Sequence, residues 1–151
     1  LHLSIRRQRQ MCIRDRLRSL LMIEALTVIS AFLGIASMIG GLLGILFTVT
    51  VAFSRIRVVE AKIAAPGAYL DMTKILWGDG PWGRWIRAMN VWAFFTYRNL
   101  PVIGSKVALR MGTEDKATPR NLKLWALIPV SFTFVCAMIF ALSAIFLVIV
   151  E

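Results

Sequence analysis

The stretch ALTVISAFLGIASMIGGLLGILFTVTVAF, residues 25–53, runs for 29 residues without a charged side chain. A helix needs about 20 consecutive apolar residues to cross a bilayer. A second stretch, LWALIPVSFTFVCAMIFALSAIFLVIV, residues 124–150, is uncharged for 27 residues. Both are long enough to cross with tilt. A buried core helix passes the same length test, but the rest of this chain is too short to cover two such runs with protein. The expected fold class is therefore all-α. It is an integral membrane helical hairpin with transmembrane helices over residues 22–53 and 124–151. The intervening loop, 54–123, is expected to carry short interfacial helices.

Composition points the same way. The 151 residues are 58% hydrophobic, with a mean hydropathy of +0.72. Ordinary soluble domains are about 45–50% apolar. This excludes a disordered chain, and two cysteines do not make a disulfide scaffold. Lys and Arg number 18 against 8 Asp and Glu, for a net charge of +10.

Five of those basic residues lie in residues 1–16, LHLSIRRQRQMCIRDR, together with His2 and Cys12. This segment lacks the apolar run of a signal peptide. It resembles translated sequencing-adapter sequence. Residues 1–21 are expected to be a non-native or disordered tail, with the native start at Met22. The competing reading is a basic arm for anionic lipid or nucleic acid.

Beyond residue 21, every Lys and Arg lies between the two apolar stretches, while only Glu24 and Glu151 flank their outer ends. Basic residues near span ends favour the cytoplasmic side. The loop is expected to be cytoplasmic and the termini periplasmic, in a bacterial inner membrane. An arginine-rich tail would pull the N-terminus to the same side as the loop, which a single span does not allow.

Within the loop, residues 54–64 read as an extension of the first helix, with Glu60 pairing weakly with Arg57 or Lys62 on an exposed face. Pro66-Gly67 breaks it. Residues 69–76 form a short helical piece, and Trp77 to Gly83 a turn in which Asp79 is a turn residue. Residues 81–97, PWGRWIRAMNVWAFFTY, are unusually dense in aromatics. Trp85, Met89, Trp92 and Thr96 fall on one helical stripe. Trp and Tyr favour the headgroup level, and neighbouring Arg can reach lipid phosphates. The expected interfacial residues are Trp82, Arg84, Trp85, Arg87, Trp92, Tyr97 and Arg98. The competing reading is an aromatic core packed on the loop's other helices. Nucleic acid is not an expected partner, because no RNP-like or helix-turn-helix pattern accompanies the aromatics. Residues 102–111 read as another short helix. Thr118-Pro119 reads as the start of the second span, with Thr118 as N-cap and Pro119 as first helical residue.

Small residues mark packing faces. Ala36, Gly40 and Gly44 recur every four residues in the first span, with Ser30–Gly34 and Ser37–Gly41 as further small pairs. Thr133, Ala137 and Ala141 do the same in the second. These stripes are expected to face one another, with a homo-oligomer or a membrane-complex subunit as the alternative use. No ionisable residue lies at membrane depth, where pumps and transporters place them. The acids of the loop look scattered. No nucleophile motif, phosphate loop or metal-ligand spacing appears. The expected function is non-enzymatic, with no cofactor and no metal. The basic aromatic loop docks on anionic lipid headgroups of the bilayer or on a cytoplasmic partner. The alternatives are an accessory subunit of a membrane complex and an oligomeric pore.

The glycine-rich turn before Arg87, followed by Trp92-Ala93-Phe94-Phe95 and Tyr97-Arg98, carries a loose likeness to a known family. Two spans, a basic aromatic loop and external termini together resemble small bacterial inner-membrane proteins of the universal stress protein B type. That resemblance implies the same two-span architecture and a role in stress or envelope physiology. It transfers no functional residue.

Overall fold

The computed structural model describes the backbone of residues 2–98, 100–101, 104–112 and 118–150. Side chains are described from residue 21 onward, except at 105 and 107–109 and in the gaps between those segments. The expectations for residues 1–20 beyond their backbone, for residues 102–103 and for residue 151 lie outside the described residues. The order is α1 (His2–Phe47), a π-helical turn (Thr48–Ala52), α2 (Phe53–Ile63), α3 (Tyr69–Trp77), α4 (Pro81–Arg98), α5 (Gly104–Met111) and α6 (Arg120–Val150). No strand occurs among the described residues. Two helical stretches, Leu21–Ile63 and Arg120–Val150, are long and apolar enough to cross a membrane.

The helix ends follow local chemistry. Ala64 turns extended, its N–H still donating to Glu60 O at 2.8 Å. Pro66 and Gly67 then prevent continuation. At the end of α3, Gly78 adopts φ 62°, a region that strains residues bearing a Cβ. Pro81 opens α4 without losing an intrahelical bond. Pro119 O accepts from Leu122 N and Lys123 N, so α6 begins one residue later than the Thr118 N-cap reading expected. The π-helical turn had no counterpart in the sequence reading. It inserts an extra residue between α1 and α2 and buries Thr48, Val49 and Ala52.

The chain divides into two compact units. One comprises Leu1–Ile39 with Ala137–Glu151. Within it, Ser30 Oγ donates to Ser143 O at 3.3 Å, and a Cβ on Gly34 would lie 3.4 Å from Ser143 Cβ. Small residues thus let two helix backbones approach closely.

The other unit is Gly40–Cys136. Here a Cβ on Gly44 would lie 2.6 Å from Thr133 Oγ1, and one on Gly40 3.3 Å from Cys136 Sγ. Gly40, Gly44 and Thr133 are therefore packing positions. Ala36, Ala137 and Ala141 are not, because all three are exposed. The buried positions step by three and four residues: Ser30, Gly34 and Ser37 in the first unit, Gly44 and Thr48 in the second. A strict four-residue spacing drifts around a helix of 3.6 residues per turn, so it leaves the contact face.

The core of this second unit joins Ile56, Val59 and Ile63 of α2 to Leu70 of α3, to Ala88, Val91, Phe94 and Phe95 of α4, and to Ala126 and Val130 of α6. The spacing of 56, 59 and 63 puts one apolar stripe on α2. On α4 the buried face is Gly83, Arg87, Ala88, Val91, Phe94 and Phe95. The expected stripe lies beside this buried face. Trp85, Met89, Trp92 and Thr96 are only half-buried, because α4 turns its Arg87–Val91–Phe94 side to α2 instead.

Candidate functional site

Arg87 sits at the centre of the α2–α4 contact. Its side chain is 4% exposed, and that of Glu60 is 0% exposed. Arg87 Nη2 donates to Glu60 Oε2 at 2.7 Å, and Nε lies 3.1 and 3.2 Å from the two carboxylate oxygens. On the other side of the fork, Nη1 donates to Asp79 Oδ1 at 2.6 Å and to Gly78 O at 3.4 Å. The planar guanidinium suits this, because its donors fan out in fixed directions. Burial alone lowers the pKa of Arg87. The hydrogen bonds and charges of Glu60 and Asp79 outweigh that effect and hold it above the ordinary arginine value.

One ring supports the cluster. The Phe53 ring lies under both arginines, 5.1 Å from Arg87 Cζ and 5.4 Å from Arg84 Cζ. Arg84 Nε donates to Asp79 O at 2.9 Å, which fixes the α3–α4 turn from a second direction. Beside the cluster opens a cleft of about 290 Å³, lined by Arg57, Glu60, Ala61, Lys74, Gly78, Asp79 and Arg87. Two expectations are corrected here. Glu60 is not an exposed partner of Arg57 or Lys62, because it is enclosed by the core and held by Arg87. Arg87 is not open to a headgroup, because its donors are turned inward onto carboxylates. The acids that look scattered in the sequence, Glu60 and Asp79, converge on one cation.

Further along α4, Trp92 Nε1 donates to Ser131 Oγ of α6 at 2.8 Å. The Trp92 and Phe134 rings lie 4.8 Å apart. Lys123 Nζ lies over the Phe95 ring at 5.3 Å. Helix α4 also packs against the π-helical turn Thr48–Ala52. It therefore touches both uncharged stretches inside their limits. Ser131 is seven residues beyond Leu124, which at about 1.5 Å per residue is about 10 Å into the second stretch.

The remaining sequence-predicted residues separate by environment. Trp82 is 69% exposed, and Tyr97 and Arg98 are also exposed. Arg84 and Trp85 are half-buried. Sequence reasoning missed Glu60, Asp79 and Phe53 as members of the cluster. It also missed the outer face of α3, where Tyr69, Met72, Ile75 and Leu76 are exposed. The signal was present in YLDMTKILW, whose apolar residues cover more than one helical face. No protein-family model matches the chain, and neither a curated protein nor a solved structure matches it.

Proposed function

We propose that the protein is a non-enzymatic, two-span membrane protein whose inter-span helices form a cap lying in the headgroup layer on anionic lipid. The spans pair as an antiparallel hairpin through Gly34, Gly40 and Gly44 against Ser143, Cys136 and Thr133. The observation that carries the reading is the Trp92–Ser131 hydrogen bond. It ties α4 to a point about 10 Å inside an uncharged stretch, and amphipathic interfacial helices enter the headgroup and acyl boundary by about 5–10 Å. The buried Arg87 cluster supports the reading as the device that holds α2, the α3–α4 turn and α4 as one cap. The loop's basic excess supports anionic lipid as the partner and the cytoplasmic leaflet of a bacterial inner membrane as the location, since cytoplasmic loops carry the Lys and Arg excess.

The test uses the full chain in nanodiscs of phosphatidylcholine alone or enriched in phosphatidylglycerol, with hydrogen exchange read along α3 and α4. Slower exchange of these helices in the anionic discs, partly reversed by high salt, supports the reading. Identical exchange in both lipids contradicts it, because attraction to surface charge is screened by salt.

A further inference from the structure

Where α6 leaves the basic loop, one of its faces passes from polar to apolar within a few turns. A cleft of about 410 Å³ opens there, lined by Phe47 of α1 and by Asn121, Leu124, Trp125, Ile128 and Pro129 of α6. Pockets that hold small ligands run from about 300 to 1,000 Å³. Both walls belong to the Gly40–Cys136 unit. The α6 wall is two adjacent rows at four-residue spacing: Arg120, Leu124 and Ile128 in one, Asn121, Trp125 and Pro129 in the other. The Phe47 and Trp125 rings stack with centroids 6.2 Å apart. Helix α4 covers another side of α6, that of Lys123, Ser131 and Phe134. The cleft therefore stays open outward, with Leu124, Trp125 and Ile128 exposed.

The polar groups of both rows are unmet. Arg120 is exposed and makes no ion pair among the described residues. Neither the Asn121 amide nor the Trp125 indole N–H makes a hydrogen bond among them. Arg55 of α2 is likewise exposed and makes no ion pair among the described residues. Arg55 is as far along the chain from Gly44 as Leu122 is from Thr133, and Gly44 packs on Thr133. Arg55 thus lies level with the first turn of α6.

Passing inward, the cleft presents a guanidinium, an amide, an indole N–H and then only carbon. From Arg120 to Pro129 this takes about 13–14 Å at about 1.5 Å per residue. A glycerophospholipid offers the complementary order of phosphate, ester carbonyls and acyl chain. The cationic level at Arg120 and Arg55 selects a negative headgroup. An apolar helix of a partner would fill the carbon part and leave the guanidinium and both donors without acceptors, which is costly at the edge of a bilayer.

We propose that this cleft seats one anionic phospholipid. Its phosphate lies beside Arg120. Its ester carbonyls accept from the Asn121 amide and the Trp125 indole N–H, and one acyl chain runs between Phe47 and Ile128. The proposal rests on the two-span reading and adds to it a discrete lipid site on α6, apart from the cap.

The test places the photoreactive residue benzoylphenylalanine at position 47, or at position 42 in the first span, where Leu42 is exposed. At position 47 it keeps an aromatic ring beside Trp125. The full chain is reconstituted in equal phosphatidylglycerol and phosphatidylcholine, illuminated, and the adducts identified by mass. Phosphatidylglycerol enriched in the adducts at 47 over those at 42, with the enrichment lost in Arg120→Gln combined with Asn121→Ala, bears the proposal out. The same lipid composition at both positions overturns it and leaves the two-span reading standing. Absence of lipid adducts at 42 overturns the two-span reading as well. Enrichment that survives the Arg120 and Asn121 changes overturns the phosphate seat. Adducts at 47 to a second copy of the chain, in place of lipid, overturn the phospholipid as occupant.

Discussion

The fork of Arg87 closes on the carboxylate of Glu60 across 27 residues of sequence, with Nη2 2.7 Å from Oε2 and both side chains almost wholly enclosed. Two charges removed from water offset their desolvation only when geometry and further bonds are good. Here the second carboxylate, Asp79, and the Phe53 ring complete the shell. Losing one partner leaves the other charge buried alone.

Arg87→Ala is therefore expected to destabilise the cap by about 3–5 kcal/mol, the range for breaking a buried pair. Unfolding followed by near-ultraviolet circular dichroism in detergent micelles measures it. Arg87→Met combined with Glu60→Leu should recover most of the loss, since an apolar pair of similar volume leaves no buried charge. A double variant no more stable than Arg87→Ala would show that the core does not accept an apolar pair in place of the charges.

The raised pKa of Arg87 sets a pH signature. A base whose folded pKa exceeds its unfolded value adds stability below the unfolded value and loses it as pH rises through the folded one. For Arg87 that window opens only above the ordinary arginine value, far above neutral pH. The contact should keep its full contribution from neutral pH to about pH 10. Arg87→Lys introduces a group that titrates near about 10.4. The stability gap between wild type and this variant should widen as pH climbs through that value.

Gly44 should be the least replaceable of the span glycines. Its added Cβ would meet Thr133 Oγ1 at 2.6 Å and Phe132 at 3.2 Å. Gly44→Ala is expected to cost about 1–3 kcal/mol through overpacking. Gly41→Ala, which places the Cβ 3.6 Å from Cys136, should cost clearly less. Adding Thr133→Ala to Gly44→Ala should restore part of the loss. Unfolding titrations in mixed micelles rank the three variants.

Much of the architecture is legible in the sequence because its signals are local. Two uncharged runs, Pro66-Gly67 after α2, Pro81 at the head of α4 and Pro119 before α6 mark elements through neighbouring residues alone. The candidate site is less legible. Glu60 and Arg87 look like solvated helix charges until α2 and α4 are packed, and no periodicity within α4 says that Arg87, Val91 and Phe94 face inward. The half-buried stripe of Trp85, Met89 and Trp92 does not separate the two readings of α4, because interfacial and core positions use the same residue types. Ala36, Ala137 and Ala141 misled because small residues at four-residue spacing do not say which face meets a partner. The π-helical turn leaves no local mark in TVTVA.

The bond from Trp92 Nε1 to Ser131 Oγ should be worth about 0.5–1.5 kcal/mol net. Trp92→Phe keeps the ring against Phe134 and removes only the donor. Ser131→Ala removes the acceptor. Each single change should cost a similar amount, and the double variant little more than either, as a double-mutant cycle measures. Fully additive losses would mean that the bond does not hold α4 to α6.

The central claim is that two spans hold the inter-span cap against one face of a membrane. Cysteine accessibility in the full chain tests it most directly, with single cysteines from Ser54→Cys and Gly80→Cys and one added after Glu151, in a background lacking Cys12 and Cys136. A membrane-impermeant maleimide is applied to intact bacteria and then to inverted vesicles. The account predicts that the cysteines at 54 and 80 react only in inverted vesicles and the one after Glu151 only in intact cells. Reaction of Gly80→Cys in intact cells, or of all three positions from the same side, would contradict it.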